Sequence, residues 1–146
     1  MSYKQLKLEN QLCFRLYAAS HLITRQYKPY LDELGITYPQ YLVFMVLWEH
    51  ENLTVNVISK KLLLNTNTVT PLLKRMETQG WLYRERSKED ERKVIVKLSQ
   101  KGSQLKEKAA DIPISLAKYY IPDVLSLDEF EQLKSLLDRL ILDLSE

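Results

Sequence analysis

The chain has 146 residues, 45% of them apolar and 27% charged, which is one domain's worth of sequence with material for a single core. Three glycines and five prolines argue against a many-turned all-β fold and for long helices. The net charge of +2 hides an asymmetry: residues 74–102 carry nine Lys/Arg against five Asp/Glu, and residues 103–146 carry five against nine.

The N-terminal Met-Ser-Tyr-Lys-Gln-Leu-Lys lacks the apolar core of a signal peptide. Residues 8–34 then repeat Leu8, Leu12, Leu16, Ala19, Ile23, Tyr27, Leu31 and Leu34 at helical spacing. That predicts a long amphipathic helix, ended or bent by Pro29 and stopped by Gly35. Thr37 is a candidate cap for a second helix over residues 38–51, with Pro39 near its start. This helix is apolar nearly all round, from Tyr41 to Trp48, and belongs inside a core. The same run is the longest apolar one and is far too short to span a bilayer.

Leu53-Thr-Val55 reads as a short extended piece, and residues 56–63 as a third helix. The polar break Asn65-Thr-Asn-Thr68 leads into a helix that stops at Gly80. Two short helices around a tight polar turn predict a helix-turn-helix. Pro71 is comfortable only near a helix start, so the second helix should begin at about residues 66–68. Thr66, Asn67, Thr68 and Thr70 then lie at the end from which a recognition helix reaches base edges.

Residues 81–86 and 93–98 alternate like strands around the charged tip Ser87-Lys-Glu-Asp-Glu-Arg92, which predicts a two-stranded wing. Ser99 caps a following helix whose apolar side runs through Leu105, Ala109, Ile112 and Leu116 until Ile121-Pro-Asp breaks it. Ser126-Leu-Asp-Glu129 has capping-box spacing and opens a last apolar-striped helix. The predicted fold is mainly α with a small β-wing, one domain over residues 1–146. About 37–102 form a winged-helix core, and about 1–36 and 103–146 supply helices that would pack against a second copy.

Lys74, Arg75, Arg84, Arg86, Lys88, Arg92 and Lys93 fall on this helix-turn-helix and wing. Lys and Arg neutralise phosphates, and an arginine at a wing tip can enter the narrow minor groove. The basic stretch could equally be a solvated surface taken alone; its place on the motif points to double-stranded DNA. Asp90, two residues from Arg92, either orients that guanidinium or makes an exposed ion pair worth little.

One cysteine excludes an internal disulfide framework, and a cytoplasmic protein is expected. A lone helical cysteine is usually an inert small hydrophobe, yet Cys13 stands among tyrosines at 17, 27, 30, 38 and 41. A hydroxyl donating to its sulfur would favour the reactive thiolate. Tyr17 is one turn away, whereas Tyr27 lies roughly 21 Å along the same helix and can meet Cys13 only from another copy or across a broken helix. No metal site, phosphate loop or nucleophile–base pair is visible, so neither a cofactor nor an enzyme is expected.

Leu8-Glu-Asn-Gln-Leu-Cys-Phe14, Ile36-Thr-Tyr-Pro-Gln-Tyr-Leu-Val43, Thr70-Pro-Leu-Leu-Lys-Arg-Met-Glu77 and the wing residues Asp90-Glu-Arg92 resemble the MarR family of winged-helix regulators. Within it they resemble the one-cysteine repressors that sense organic hydroperoxides. The resemblance implies a homodimer that represses from an inverted-repeat operator. It also implies that Cys13 is oxidised by organic hydroperoxide, held by Tyr27 and Tyr38 of the opposite subunit, and then capped by a small thiol or over-oxidised. With one cysteine, the only disulfide within the dimer is Cys13 to Cys13. Relatives carry Asp-Ser-Gly-Thr where this chain has Asn65-Thr-Asn-Thr68, which keeps cap chemistry but changes the base-facing surface. Two other readings compete: a MarR-type regulator gated by a small aromatic ligand, with Cys13 structural, and a thiol peroxidase, for which the chain lacks a resolving cysteine.

Overall fold

The computed structural model describes residues 3–120 and 123–145. Two 3-10 turns, Lys4–Leu6 and Leu8–Asn10, precede α1, Leu12–Leu34. The helix starts at Leu12 rather than Leu8 because local side-chain bonds compete with it. The Asn10 amide donates to the Lys4 carbonyl and the Gln11 amide to the Gln5 carbonyl.

α1 does not end at Pro29 but continues to Gly35, which is left-handed at φ 69°. Pro29 is exposed, so water can meet the carbonyl deprived of its donor. The Gly35 N–H then bonds to Asp32 and the Ile36 N–H to Leu31, with Leu31 and Ile36 both buried. This closed turn reverses the chain into α2, Tyr38–Glu49.

A full capping box starts α2: the Thr37 hydroxyl accepts from the Gln40 N–H, and the Gln40 carbonyl oxygen accepts from the Thr37 N–H. Tyr41, Val43, Phe44 and Leu47 of α2 are buried. The remaining elements are β1 (Leu53–Thr54), α3 (Val55–Leu62), α4 (Thr66–Thr78), β2 (Leu82–Arg86) and β3 (Val94–Leu98). The sheet is antiparallel in the order β1-β3-β2. The wing is therefore three-stranded, not two-stranded, with Leu53 opposite Val96 and Thr54 opposite Ile95. A two-residue strand is too short to show an alternating pattern.

α5, Gln100–Ala109, is capped by Ser99, and α6, Ile112–Tyr120, follows as a separate helix. The single helix expected through Leu116 is split because Pro113 has no N–H for the Ala109 carbonyl and settles in the first turn of α6. The periodicity nonetheless continues, since Leu105, Ala109, Ile112 and Leu116 are all buried in one core. Ile121 and Pro122 of the expected break lie outside the described residues. α7, Leu127–Leu144, opens on a capping box between Ser126 and Glu129. Hydrogen bonds from Ser126 hold the Glu129 carboxyl below the usual carboxylate range.

One core joins α2, the buried faces of α3 and α4, Leu82 and Val96 of the sheet, and α5 and α6. The C-terminal part of α1 joins this core through Leu31, with Tyr27, Tyr30 and Leu34 packed against it, whereas α7 adds no residue to it. Leu31 is the buried residue of α1, and α7 buries none of its side chains. Leu133, Leu136, Leu140 and Ile141 are all more than 40% exposed. Among the described residues, no helix is long and apolar enough to cross a membrane.

Candidate nucleic-acid interface and thiol site

The helix-turn-helix is assembled from local caps. Thr54 caps α3 by accepting from the Val57 N–H at 3.3 Å. Leu63 then turns left-handed at φ 54°, and Leu64 N–H closes onto Ser59. Asn65 caps α4 through its carbonyl oxygen, which accepts from the Asn67 N–H at 2.8 Å. The cap thus survives without the acid and glycine of the related motif.

α4 buries Val69, Leu72, Leu73 and Met76, which turns its other faces outward. Asn67, Thr68, Lys74 and Arg75 are exposed, and Thr66 and Thr70 are half-buried. Since the helix begins at Thr66, Pro71 falls in its second turn, later than its chemistry suggests. It deprives the Asn67 carbonyl of a helical donor on an exposed stretch where solvent can compensate.

The wing tip is folded by its own side chains. The buried Ser87 hydroxyl accepts from the N–H groups of Glu89 and Asp90. Asp90 Oδ1 accepts from both the N–H and Nε of Arg92, each at 3.1 Å. Those bonds from Arg92 hold the Asp90 carboxyl below its ordinary range. The Arg92 side chain is 91% exposed, so the pair adds little stability and chiefly aims the guanidinium. Arg86 and Lys88 are exposed beside it.

Arg84 is placed differently from the rest of the basic set. Its Nε donates to Glu77 Oε2 of α4 at 2.6 Å, and its side chain is only 23% exposed. It ties the wing to the recognition helix instead of standing free. Arg84 still lines, with Thr66, Thr70, Arg92 and Lys93, a cleft of about 160 Å³ between the start of α4 and the wing. Asn56 lines the same cleft and was not singled out from sequence, where nothing marks a lone asparagine on a short helix. Lys97 pairs with Glu85 across the strands, which holds the Glu85 carboxyl low through that hydrogen bond.

The thiol site is divided. Cys13 is exposed near the start of α1. Tyr17 is 69% exposed and lies parallel to the His21 ring at 6.2 Å between centroids. Tyr27, Tyr38 and Tyr41 pack together elsewhere, at centroid distances of 5.1 Å (27 to 38), 5.7 Å (27 to 41) and 6.3 Å (38 to 41). α1 is continuous between Cys13 and Tyr27, so one chain keeps them roughly 21 Å apart. The structure brings the tyrosines to one another and not to their own cysteine.

Burial raises the Tyr38 hydroxyl above its usual value. Burial first, then the neighbouring Tyr27 and Tyr38, pushes Tyr41 up to about 12. Tyr38 and Tyr41 therefore stay protonated at neutral pH and can donate hydrogen bonds. A raised folded value adds stability that is complete below about pH 10, the unfolded value. That stability is lost as pH rises through about 12. Alkaline unfolding followed by circular dichroism should therefore steepen across this window, and Tyr41→Phe should flatten it.

Beside Tyr38 lies a cleft of about 490 Å³, lined among others by His21, Arg25, Lys28, Leu31 and Ile36. Among the described residues, no cluster of His, Cys, Asp and Glu could hold a metal ion.

Comparison with known proteins gives a consistent answer. The family model for the transcriptional regulator SarA/Rot matches residues 25–109. The organic hydroperoxide resistance transcriptional regulator of Bacillus subtilis (strain 168) is 52% identical over 142 residues, 95% of this chain and 92% of that protein. Reduced AbfR bound to DNA, a Staphylococcus epidermidis protein, superposes with a TM-score of 0.78 at 38% identity, covering 97% of this chain and 96% of that one. Overoxidized AbfR bound to DNA gives 0.73 at 40% identity over 95% of this chain and all of that one. The chain therefore belongs to the MarR-type winged-helix transcriptional regulators, in the branch of the organic hydroperoxide resistance regulators.

Proposed function

We propose that this protein is a dimeric DNA-binding repressor whose operator binding is released when an organic hydroperoxide oxidises Cys13. The division of the thiol site carries the reading. An exposed sulfur at one end of α1 and a cluster of phenols at the other make a working site only across two copies. The exposed apolar sides of α1 and α7 supply the surface on which such copies meet, so residues 1–36 and 103–146 are read as dimerisation elements. A two-fold dimer presents two α4 helices to an inverted repeat.

In this scheme Thr66, Asn67, Thr68 and Thr70 face base edges and Lys74 and Arg75 meet phosphates. Arg86 and Lys88 add backbone contacts, and Arg92, aimed by Asp90, enters the minor groove. The Cys13 thiolate attacks the terminal peroxide oxygen and the O–O bond breaks. The sulfur becomes a sulfenic acid, and the hydroperoxide leaves as an alcohol after taking a proton. A small thiol then condenses with the sulfenic acid, releasing water and forming a mixed disulfide.

The test uses an operator duplex selected by the reduced protein from a random-sequence pool. Stoichiometric cumene hydroperoxide should weaken wild-type binding at least about tenfold, within the usual range of allosteric coupling. Cys13→Ser should bind as the reduced protein does and stay bound. Equal release of both would sink the thiol switch. The cleft beside Tyr38, large enough for a small molecule, favours a second reading in which an aromatic ligand is the signal. A thermal shift with phenolic compounds that survives in Cys13→Ser would support that one.

A further inference from the structure

We infer that the hydrogen bond between Gln40 and Gln79 links the thiol site to the recognition helix. This rests on the Cys13 switch proposed above and assigns the route by which that switch acts. Gln40 is polar yet only 4% exposed, a placement that requires its amide to be satisfied. Both ends are. The carbonyl oxygen accepts from the Thr37 N–H at 3.0 Å, and Nε2 donates to Gln79 Oε1 at 2.9 Å.

The first contact makes Gln40 part of the capping box that fixes the opening turn of α2. Tyr38 stands in that same turn, with its ring against Tyr27 and Tyr41. A displacement of Tyr38 at the thiol site therefore moves the turn that holds the Gln40 side chain. The second contact ends on the C-cap residue of α4. Among the described residues it is the one side-chain hydrogen bond from α2 to either end of the recognition helix.

The far side of this corner is held firmly. The Lys101 ammonium donates to the Gln79 carbonyl at 3.0 Å and sits 3.9 Å over the Trp81 ring. The Ser99 hydroxyl donates to the Gly80 carbonyl at 2.7 Å. Strain delivered at Gln79 is thus resisted by α5 and falls on α4. Phe44 also touches Trp81, edge-on at 5.6 Å, but an apolar contact can slide, whereas a hydrogen bond has a fixed direction and length. Gln40 and Gln79 are positioning residues; neither meets DNA or sulfur.

The experiment compares wild type, Gln79→Met and Gln79→Glu. Gln79 is exposed, so each variant should fold. Methionine keeps the length and removes the acceptor; glutamate restores an acceptor for Gln40 Nε2. For each protein the operator dissociation constant is measured reduced and after cumene hydroperoxide, alongside the rate of Cys13 thiol loss. All three should lose the thiol at the same rate. The oxidised-to-reduced ratio should fall about fivefold in Gln79→Met, the worth of one neutral hydrogen bond, and return to the wild-type value in Gln79→Glu.

A Gln79→Met ratio equal to wild type would overturn the inference, as would failure of glutamate to rescue. If the wild-type ratio is itself near one, or Cys13→Ser is released equally, the switch fails and the inference fails with it. That result differs from a large wild-type ratio kept in Gln79→Met, which removes only the bridge.

Discussion

Leu133→Asp combined with Leu140→Asp is expected to leave a folded winged-helix core that is monomeric and has lost operator binding. Both leucines lie on the apolar side of α7, 44% and 41% exposed. A carboxylate at the centre of an apolar interface meets a large desolvation cost. The core itself contains no α7 residue, so its stability should be little changed. Binding falls for a different reason. Two linked recognition helices gain about 10²–10⁴ from effective concentration, and a monomer forfeits that factor. Sedimentation gives the mass and titration of the selected duplex gives the affinity. A double variant that remains dimeric and binds as wild type would remove α7 from the interface.

Gly102→Ala should cost at least the ~1–3 kcal/mol typical of overpacking. A Cβ at Gly102 would sit 2.2 Å from the Trp81 carbonyl oxygen. That oxygen is a backbone atom and already accepts from the Ser99 N–H at 3.0 Å, so it cannot step aside. The Gly102 carbonyl in turn accepts from Trp48 Nε1 at 3.0 Å, and pushing α5 outward stretches that bond too. Urea denaturation should show the midpoint shift. A loss under about 0.5 kcal/mol, the scale of a neutral surface change, would mean that α5 tilts freely against the sheet.

Much of this architecture was legible because its signals are local. The Gly35 stop, the Thr37 cap, the Ser126 box, the Ser99 cap and the Asn65 turn each depend on residues within five positions of one another. Helix geometry alone separated Cys13 from Tyr27 in one chain, and the continuous α1 keeps that separation. What stayed hidden joins distant segments. The Glu77–Arg84 pair made a wing arginine look free, because the partner belongs to another element. The pairing of β1 needs β3, more than 40 residues later. Pro113 was overlooked for the opposite reason: two helices that share one buried face continue a single period across the break.

The unburied state of α7 has a consequence for how the protein should be handled. A protein helix draws most of its stability from tertiary packing of its apolar face, and the 18-residue α7 buries none of its side chains within the chain. If a second copy supplies that packing, folding becomes a second-order process, and the melting temperature rises with the amount of protein in the tube. Dilution then acts as a denaturant. The same law would apply in a cell, where scarcity of the regulator would shorten the life of each molecule.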